Sequence, residues 1–384
     1  MIETLRKAAR SIGNPSLQAW NEGGGKVLGY PCTFVPEEII DAAGILPYRL
    51  RGITAGTMSI GDAYFGPVIC SFPKCILQLA GQGSYGFLDG AVVVNGCDSM
   101  RRLHECWRKA SEDIPGTLPG FFHYMGVPHK ATDYSIEWFK EELGILARSI
   151  SDHFGTPVTT DSLRRSIRLF NEIRSLLSEL DEMRMSETCP VTGSDAASIV
   201  LAGFAMPREE YRETLGKVMA RLRKSKPVSD GKVRLMVVGS ASDDADFVEL
   251  VESTGAIVVS DCMCFGARSF LKRVDEDADP IEALAERYLG GNLCPRMFGW
   301  YKDRLAFVRD RALRSRVDGV ILQNIRFCDL HGSENGLLER DLEAEGIPCM
   351  RIEREYGPLV ETGRIKMRLD AFMERIRTVG GRRS

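Results

Sequence analysis

Short apolar runs alternate along this chain with longer segments in which apolar residues recur every three or four positions. Apolar runs of four to eight residues indicate buried strands, and the longer spacing indicates amphipathic helices. Strands are predicted over residues 26–30, 46–50, 91–94, 119–125, 233–238, 256–260, 320–322 and 349–352. Because strands that alternate with helices are typical of parallel sheets, the pattern predicts an α/β fold with two Rossmann-like domains.

The middle of the chain departs from this alternation. Residues 161–187 carry apolar side chains at helical spacing, residues 194–224 continue as helix, and neither stretch has a strand signal. The Pro- and Gly-containing linker 226–231 follows. We therefore predict an N-terminal α/β domain over residues 1–155, a helical subdomain over 156–230 and a C-terminal α/β domain over 231–384, with a crevice between the two α/β domains.

One sequence design occurs twice. Residues 89–98 and 318–329 each begin with Asp-Gly, continue as a buried strand and end in Cys-Asp, with Cys97 and Cys328 just past the strand. In open α/β sheets, ligands bind outside the carboxyl ends of the strands. The two units therefore predict two halves that present thiols toward one crevice.

Other cysteines share this placement. Cys32 follows the first strand, either Cys262 or Cys264 follows the sixth, and Cys70 and Cys294 lie in glycine-containing loops that lead to helices. Such an edge rich in soft ligands predicts a metal or an iron–sulfur cluster. Structural roles are predicted for the remaining cysteines, namely Cys75, Cys106, Cys189 and Cys349.

Composition narrows the function classes. With 384 residues, 44% hydrophobic and 27% charged, the chain is long enough for two or three globular domains. A net charge of -3 gives no reason to expect nucleic acid. No apolar run approaches the roughly 20 residues that span a bilayer, and no signal peptide is apparent, so a cytoplasmic protein without membrane association is predicted. Eleven cysteines in that compartment favour metal binding or catalysis over disulfides.

Several other motifs are weak. The turn at residues 237–242 lacks the glycine spacing of a dinucleotide site, and residues 23–26 lack that of a P-loop, so no ATP site is predicted. Cys328-x-x-His331 lacks the paired cysteines of a structural zinc site. For four charged residues two locations remain open, the crevice and a solvated face. These residues are Glu37, Glu38, Arg101 and Arg102.

Four stretches in order carry a family resemblance. They are Cys32-Thr-Phe-Val-Pro-Glu-Glu-Ile-Ile-Asp-Ala-Ala-Gly44, Ile69-Cys-Ser-Phe-Pro-Lys74, Phe87-Leu-Asp-Gly90 with Cys97-Asp-Ser-Met-Arg101, and Phe327-Cys-Asp329. Along essentially its whole length the chain resembles the iron–sulfur subunits of the 2-hydroxyacyl-CoA dehydratase and benzoyl-CoA reductase superfamily, the 2-hydroxyglutaryl-CoA dehydratase D-component family.

The resemblance implies a cofactor, a reaction and partners. In that family three cysteines, matching Cys70, Cys97 and Cys328, hold a [4Fe-4S] cluster with one iron open to a ligand. A separate ATP-hydrolysing iron–sulfur activator protein supplies a low-potential electron for radical chemistry on an acyl-CoA. The outcome is dehydration by a lyase or reduction of an aromatic ring. The resemblance also implies a dimer with a homologous second subunit or a second copy of the chain.

A second branch of the same superfamily offers an alternative. Cys32, Cys264 and Cys294 resemble ligands of the double-cubane cluster proteins, homodimers that hold an [8Fe-9S] cluster and reduce small molecules. The Cys-x-Gly-Ala-Arg pattern favours Cys264 over Cys262. Two further hypotheses stay open: a non-catalytic subunit that relays electrons, and a cluster-free α/β protein that binds a small molecule.

Overall fold

The structure of the protein, a computed structural model, describes residues 1–380, so the last four residues of the predicted C-terminal domain lie outside it. The strands are Val27–Tyr30 (β1), Leu46–Arg49 (β2), Gly90–Val94 (β3), Phe121–Met125 (β4), Val233–Gly239 (β5), Ala256–Cys262 (β6), Gly319–Ile325 (β7) and Cys349–Arg354 (β8). The α-helices are Ile2–Arg10 (α1), Pro15–Glu22 (α2), Glu37–Ala42 (α3), Ser59–Tyr64 (α4), Ser71–Gly81 (α5), Asp98–Asp113 (α6), Asp133–Phe154 (α7), Thr160–Met185 (α8), Gly193–Gly203 (α9), Arg208–Leu222 (α10), Ala245–Glu252 (α11), Pro280–Ala285 (α12), Tyr301–Arg314 (α13), Asp329–Ala344 (α14) and Thr362–Gly380 (α15).

The strands form two parallel sheets of four. The N-terminal sheet has the order β2-β1-β3-β4, and the C-terminal sheet repeats it as β6-β5-β7-β8. The predicted α/β class with two Rossmann-like sheets is confirmed. In each sheet the strand order reverses between the two central strands, and such a switch point opens a crevice at their carboxyl ends.

Helices cover both faces of the sheets, which explains the nearly continuous apolar strands. All residues of β1, β3 and β6 are buried. Strands that are covered on both faces lack the alternation of apolar and polar residues that is typical of half-exposed strands. The signal in the sequence is therefore a short apolar run.

Helix α8 joins the two sheets through buried ion pairs. Its Arg174 donates a hydrogen bond to Glu38 of α3, beside the N-terminal sheet. Farther along the helix, Arg184 bonds Asp261 of β6 at 3.0 Å. The predicted helical stretch thus contacts both halves of the chain. No helix of the described residues is both long and apolar enough to span a bilayer.

Three details differ from the prediction. The sequence favours a loop over the Gly- and aromatic-rich residues 61–70, but these include the end of α4. The Ile60 and Gly61 amides, in the first turn of α4, donate hydrogen bonds to the Gln78 side-chain oxygen. The helix predicted over 194–224 is two helices, α9 and α10, with Pro207 immediately before the second. The sequence pattern predicts that α6 and α14 begin at residues 99 and 334, but they begin directly after Cys97 and Cys328, at Asp98 and Asp329.

Candidate metal centre

A cavity of about 100 Å³ lies at the carboxyl ends of the strands, between the two sheets. Six cysteines line it: Cys32, Cys70, Cys97, Cys264, Cys294 and Cys328. The structure therefore brings together every cysteine that was predicted as a ligand. A larger open groove of about 750 Å³ lies along α1, but its charged walls contain no thiol and largely pair with each other, as Arg6 does with Asp195.

Three of the thiols precede helices directly. Cys70, Cys97 and Cys328 are the residues before α5, α6 and α14. Backbone amides of the first turns donate hydrogen bonds to the three sulfurs, from Phe72, Met100 and His331 respectively. A helix N-terminus has unpaired N–H groups and a partial positive charge, and both favour a thiolate. We call this set the helix triad.

The other three thiols lie in loops. Cys32 follows β1, Cys264 follows β6, and Cys294 precedes α13. Backbone carbonyls hold two of these loops: that of Cys264 accepts from Arg49 at 2.7 Å, and that of Cys294 accepts from the Met297 amide at 2.9 Å. We call Cys32, Cys264 and Cys294 the loop triad.

The two triads are contiguous. Within the helix triad, all three thiols are close enough for their charges to interact. Within the loop triad, Cys32 interacts with both Cys264 and Cys294. The sets meet twice, where Cys97 neighbours Cys32 and where Cys328 neighbours Cys294. The six thiols are therefore neighbours of one another along the cavity wall.

Burial makes these thiols difficult to ionise by themselves. It raises the pKa of Cys32 to about 11 and that of Cys328 to about 12, and it raises the pKa of Cys97 well above its usual value. Neighbouring thiols add to each increase, because adjacent thiolates repel. A bound cation removes this cost and converts thiols to thiolate ligands. The six thiols are thus suited to bind a metal cation or a cluster.

The spacing suits a cluster better than one ion. Among residues 1–380, no three His, Cys, Asp or Glu side chains converge as the ligands of a single metal ion do. Cysteines that hold an iron–sulfur cluster each bind a different iron, so they stand around a wider space. Six thiols around a small cavity fit that arrangement.

The remaining cysteines lie outside the cavity wall. Cys262 ends β6, is buried, and lies beside Arg268 and Arg311. Only Cys264 of this pair lines the cavity within the described residues, which agrees with its selection as the ligand. Those predicted to be structural, Cys75, Cys106, Cys189 and Cys349, are all buried elsewhere.

The family follows from a comparison with known proteins. The model of the 2-hydroxyglutaryl-CoA dehydratase D-component family matches residues 32–376, a range that contains all six cavity cysteines. The chain belongs to this family. The resemblance read from the four cysteine-containing stretches is confirmed.

Curated relatives cover nearly the whole chain at low identity. The (R)-phenyllactyl-CoA dehydratase beta subunit of Clostridium sporogenes is 23% identical over 86% of this chain and 87% of its own length. One of the subunits of benzoyl-CoA reductase from Thauera aromatica is 27% identical, over 83% and 82%. The (R)-2-hydroxyglutaryl-CoA dehydratase beta subunit of Acidaminococcus fermentans is 22% identical, over 97% and 98%.

Sequence reasoning did not assign several polar residues to the cavity, although it weighed one of them, His331, as part of a zinc motif. Arg49, Arg268, Asn292 and His331 also line the cavity. Burial lowers the pKa of His331 well below its usual value, so the imidazole is neutral. The spacing of Cys328 and His331 contained the signal, because residues three apart on a helix lie on one face.

The four charged residues whose place the sequence left open lie outside the cavity wall. Glu37 and Glu38 form buried ion pairs with Arg208 and Arg174, beneath the helical segment. Arg101 and Arg102 are exposed on α6. Within the described residues, none of the four lines the cavity. The interpretation as a solvated face is correct for the arginines, whereas the glutamates are structural.

Proposed function

We propose that this chain is the iron–sulfur subunit of a low-potential radical enzyme of its family, with acyl-CoA thioesters as the substrate class. The observation that carries the proposal is the placement of Cys70, Cys97 and Cys328 at three helix N-termini around one cavity. Cys70, Cys97 and Cys328 would hold a [4Fe-4S] cluster, with an iron left for substrate. The three relatives are subunits of acyl-CoA dehydratases and of benzoyl-CoA reductase, which supports 2-hydroxyacyl-CoA dehydration or benzoyl-CoA-type reduction.

A second candidate is the double-cubane reductase, and one observation favours it. The loop triad lines the same cavity as the helix triad, so Cys32, Cys264 and Cys294 would supply three further ligands to an [8Fe-9S] cluster. The six-thiol lining thus favours the larger cluster, whereas the names of the relatives favour an acyl-CoA substrate.

The residues of the chain have definable tasks in either form. When bound, the cluster supplies an electron of low potential. The helix N-termini stabilise the thiolates of Cys70, Cys97 and Cys328. Buried apolar side chains, including Phe34, Phe72 and Met100, shield the cavity from water. The neutral His331 is placed to donate or accept one hydrogen bond beside Cys328.

The electron is proposed to come from a separate protein. The sequence has no recognisable ATP site of its own, so ATP would act through an iron–sulfur activator that hydrolyses it. Each of the three relatives carries the name of one subunit of a larger enzyme, which supports a partner subunit or a second copy for this chain.

Metal analysis of protein purified without oxygen tests the proposal. About four irons per chain would support one [4Fe-4S] cluster on the helix triad, and about eight would support the six-thiol form. Colourless but folded protein without iron would refute both. Turnover by the purified chain with activator and ATP would show that the chain is an enzyme and not an electron relay. Assays with 2-hydroxyacyl-CoA and with small reducible molecules would then distinguish the two substrate classes.

A further inference from the structure

Three arginines surround the loop triad. Arg268 donates a hydrogen bond to the Cys294 thiol and also neighbours Cys264. Arg49 lines the cavity and is close enough to Cys32 for their charges to interact. Arg296 interacts with both Cys32 and Cys294. Each thiol of the loop triad therefore has at least one guanidinium as a neighbour.

The guanidiniums are held in place by neutral groups. Arg49 stacks on Phe265, with 3.6 Å from its guanidinium carbon to the ring centroid, and donates to the Thr33 hydroxyl at 3.0 Å. Arg296 donates to the backbone carbonyls of Asn95, Val127 and Pro128. These contacts fix the positions of the charges without neutralising them.

No carboxylate pairs with any of the three within the described residues. The Nε atoms of Arg49 and Arg268 are moreover buried without a hydrogen-bond partner. Several other buried arginines do have carboxylate partners: Arg174 with Glu38, Arg184 with Asp261, and Arg311 with Asp181. Arg49 and Arg296 are buried and Arg268 is half-buried. An unpaired charge removed from water is costly, so the three arginines require negative charge in the cavity, which thiolates would supply.

The helix triad has a different environment. Its positive charge comes mainly from helix N-termini, each equivalent to about half an elementary charge, although Arg296 also neighbours Cys97. The acids Asp329 and Glu355 also lie near Cys70, where they raise the pKa of that thiol beyond the larger effect of burial. Positive charge is thus distributed unevenly around the cavity, and most of it lies beside the loop triad.

We propose that Arg49, Arg268 and Arg296 form a cationic wall that neutralises the thiolate-bound group at the loop triad and makes this the side on which an added electron rests. The inference rests on the proposed function, in its six-thiol form. The electron would come from the iron–sulfur activator, and no proton or bond change is required at this step. Net charge near a cluster is one of the factors that set its reduction potential, so the wall raises the potential of the nearer iron atoms.

Arg268→Gln tests the wall, because it removes the charge beside Cys264 and Cys294. A redox titration of anaerobically purified protein, followed by electron paramagnetic resonance, is expected to show a lower midpoint potential with an unchanged iron content. The expected size is about a tenfold lower ratio of reduced to oxidised cluster at a fixed potential, about 59 mV for one electron. Arg268→Lys keeps the charge and should titrate close to the unaltered protein.

The exposed Arg273→Gln, on the same segment, is the matched control and should leave the potential unchanged. An unchanged potential in Arg268→Gln would overturn the inference, as would equal shifts in Arg268→Gln and Arg273→Gln. If Arg268→Gln fails to fold, Arg49→Gln is titrated instead, with the same expected decrease. Unaltered protein without iron would refute the proposed function itself, and about four irons per chain would refute the six-thiol form. Both results differ from the one that overturns the inference, which is an unchanged midpoint potential in an Arg268→Gln variant that has its full iron content.

Discussion

The pair Cys262→Ser and Cys264→Ser gives a sharp test of the ligand set. The two residues are almost adjacent, yet only Cys264 lines the cavity, while Cys262 is the buried end of β6. If the six thiols hold two four-iron halves, Cys264→Ser leaves the helix triad complete and disables the loop triad. Iron is then expected to fall from about eight to about four per chain, with sulfide in parallel.

Cys262→Ser is expected to keep its iron but lose stability. The hydroxyl would replace a thiol that is 6% exposed, and burying an unpaired hydroxyl costs about 1–3 kcal/mol in proteins. Colorimetric iron and sulfide assays measure the cluster, and urea unfolding followed by circular dichroism measures stability. The two variants should therefore separate, one losing iron and the other losing stability.

The reverse outcome would refute this reasoning. Iron loss in Cys262→Ser with full iron in Cys264→Ser would make Cys262 the ligand. Iron loss in both, together with equal destabilisation, would mean that the segment around β6 simply fails to form. Near-ultraviolet circular dichroism on the anaerobic protein distinguishes these two results.

Two further predictions concern the scaffold. Glu38→Gln leaves Arg174 buried without its carboxylate and should cost about 3–5 kcal/mol in urea unfolding. Burial opposes the ionisation of Glu38, but Arg174 lowers its pKa below the usual 4.5. The stability that this pair contributes is therefore present above pH 4.5 and is lost as the pH falls through the lower pKa of the folded state. A Glu38→Gln variant whose stability keeps this dependence on acid pH would contradict the argument. The methyl group of Gly239→Ala would clash with the Gln323 carbonyl of the neighbouring strand and should lower the free energy of unfolding by about 1–3 kcal/mol. A thermal midpoint equal to that of the unaltered protein would show that the strand shifts to accommodate the methyl group.

The thiol positions were accessible from the sequence because they follow local rules. A buried strand that ends in Cys-Asp places the thiol at the carboxyl edge of a sheet, and this gave Cys97 and Cys328 correctly. The start of α14 was misplaced because Gly332, Ser333 and Asn335 are poor helix formers. Packing of α14 against β7 and β8 overrides that preference.

The cationic wall was not accessible in this way. Arg49 ends β2, Arg268 lies in the loop after β6, and Arg296 precedes α13, so no sequence spacing connects them. Arginine is normally an exposed residue, and composition alone therefore predicts solvated side chains. Their meeting place depends on how the two sheets face each other, which is a long-range property.

Both triads take ligands from both sheets. Cys70 and Cys97 come from the N-terminal sheet side and Cys328 from the other, whereas Cys32 is joined by Cys264 and Cys294 from the C-terminal side. Neither half alone can therefore assemble a complete coordination shell. In the proposed six-thiol form, the halves would have to dock before or while the cluster is inserted, and the cluster would then link the two halves. Loss of such a cluster would consequently weaken the contact between the two halves as well as end the proposed chemistry.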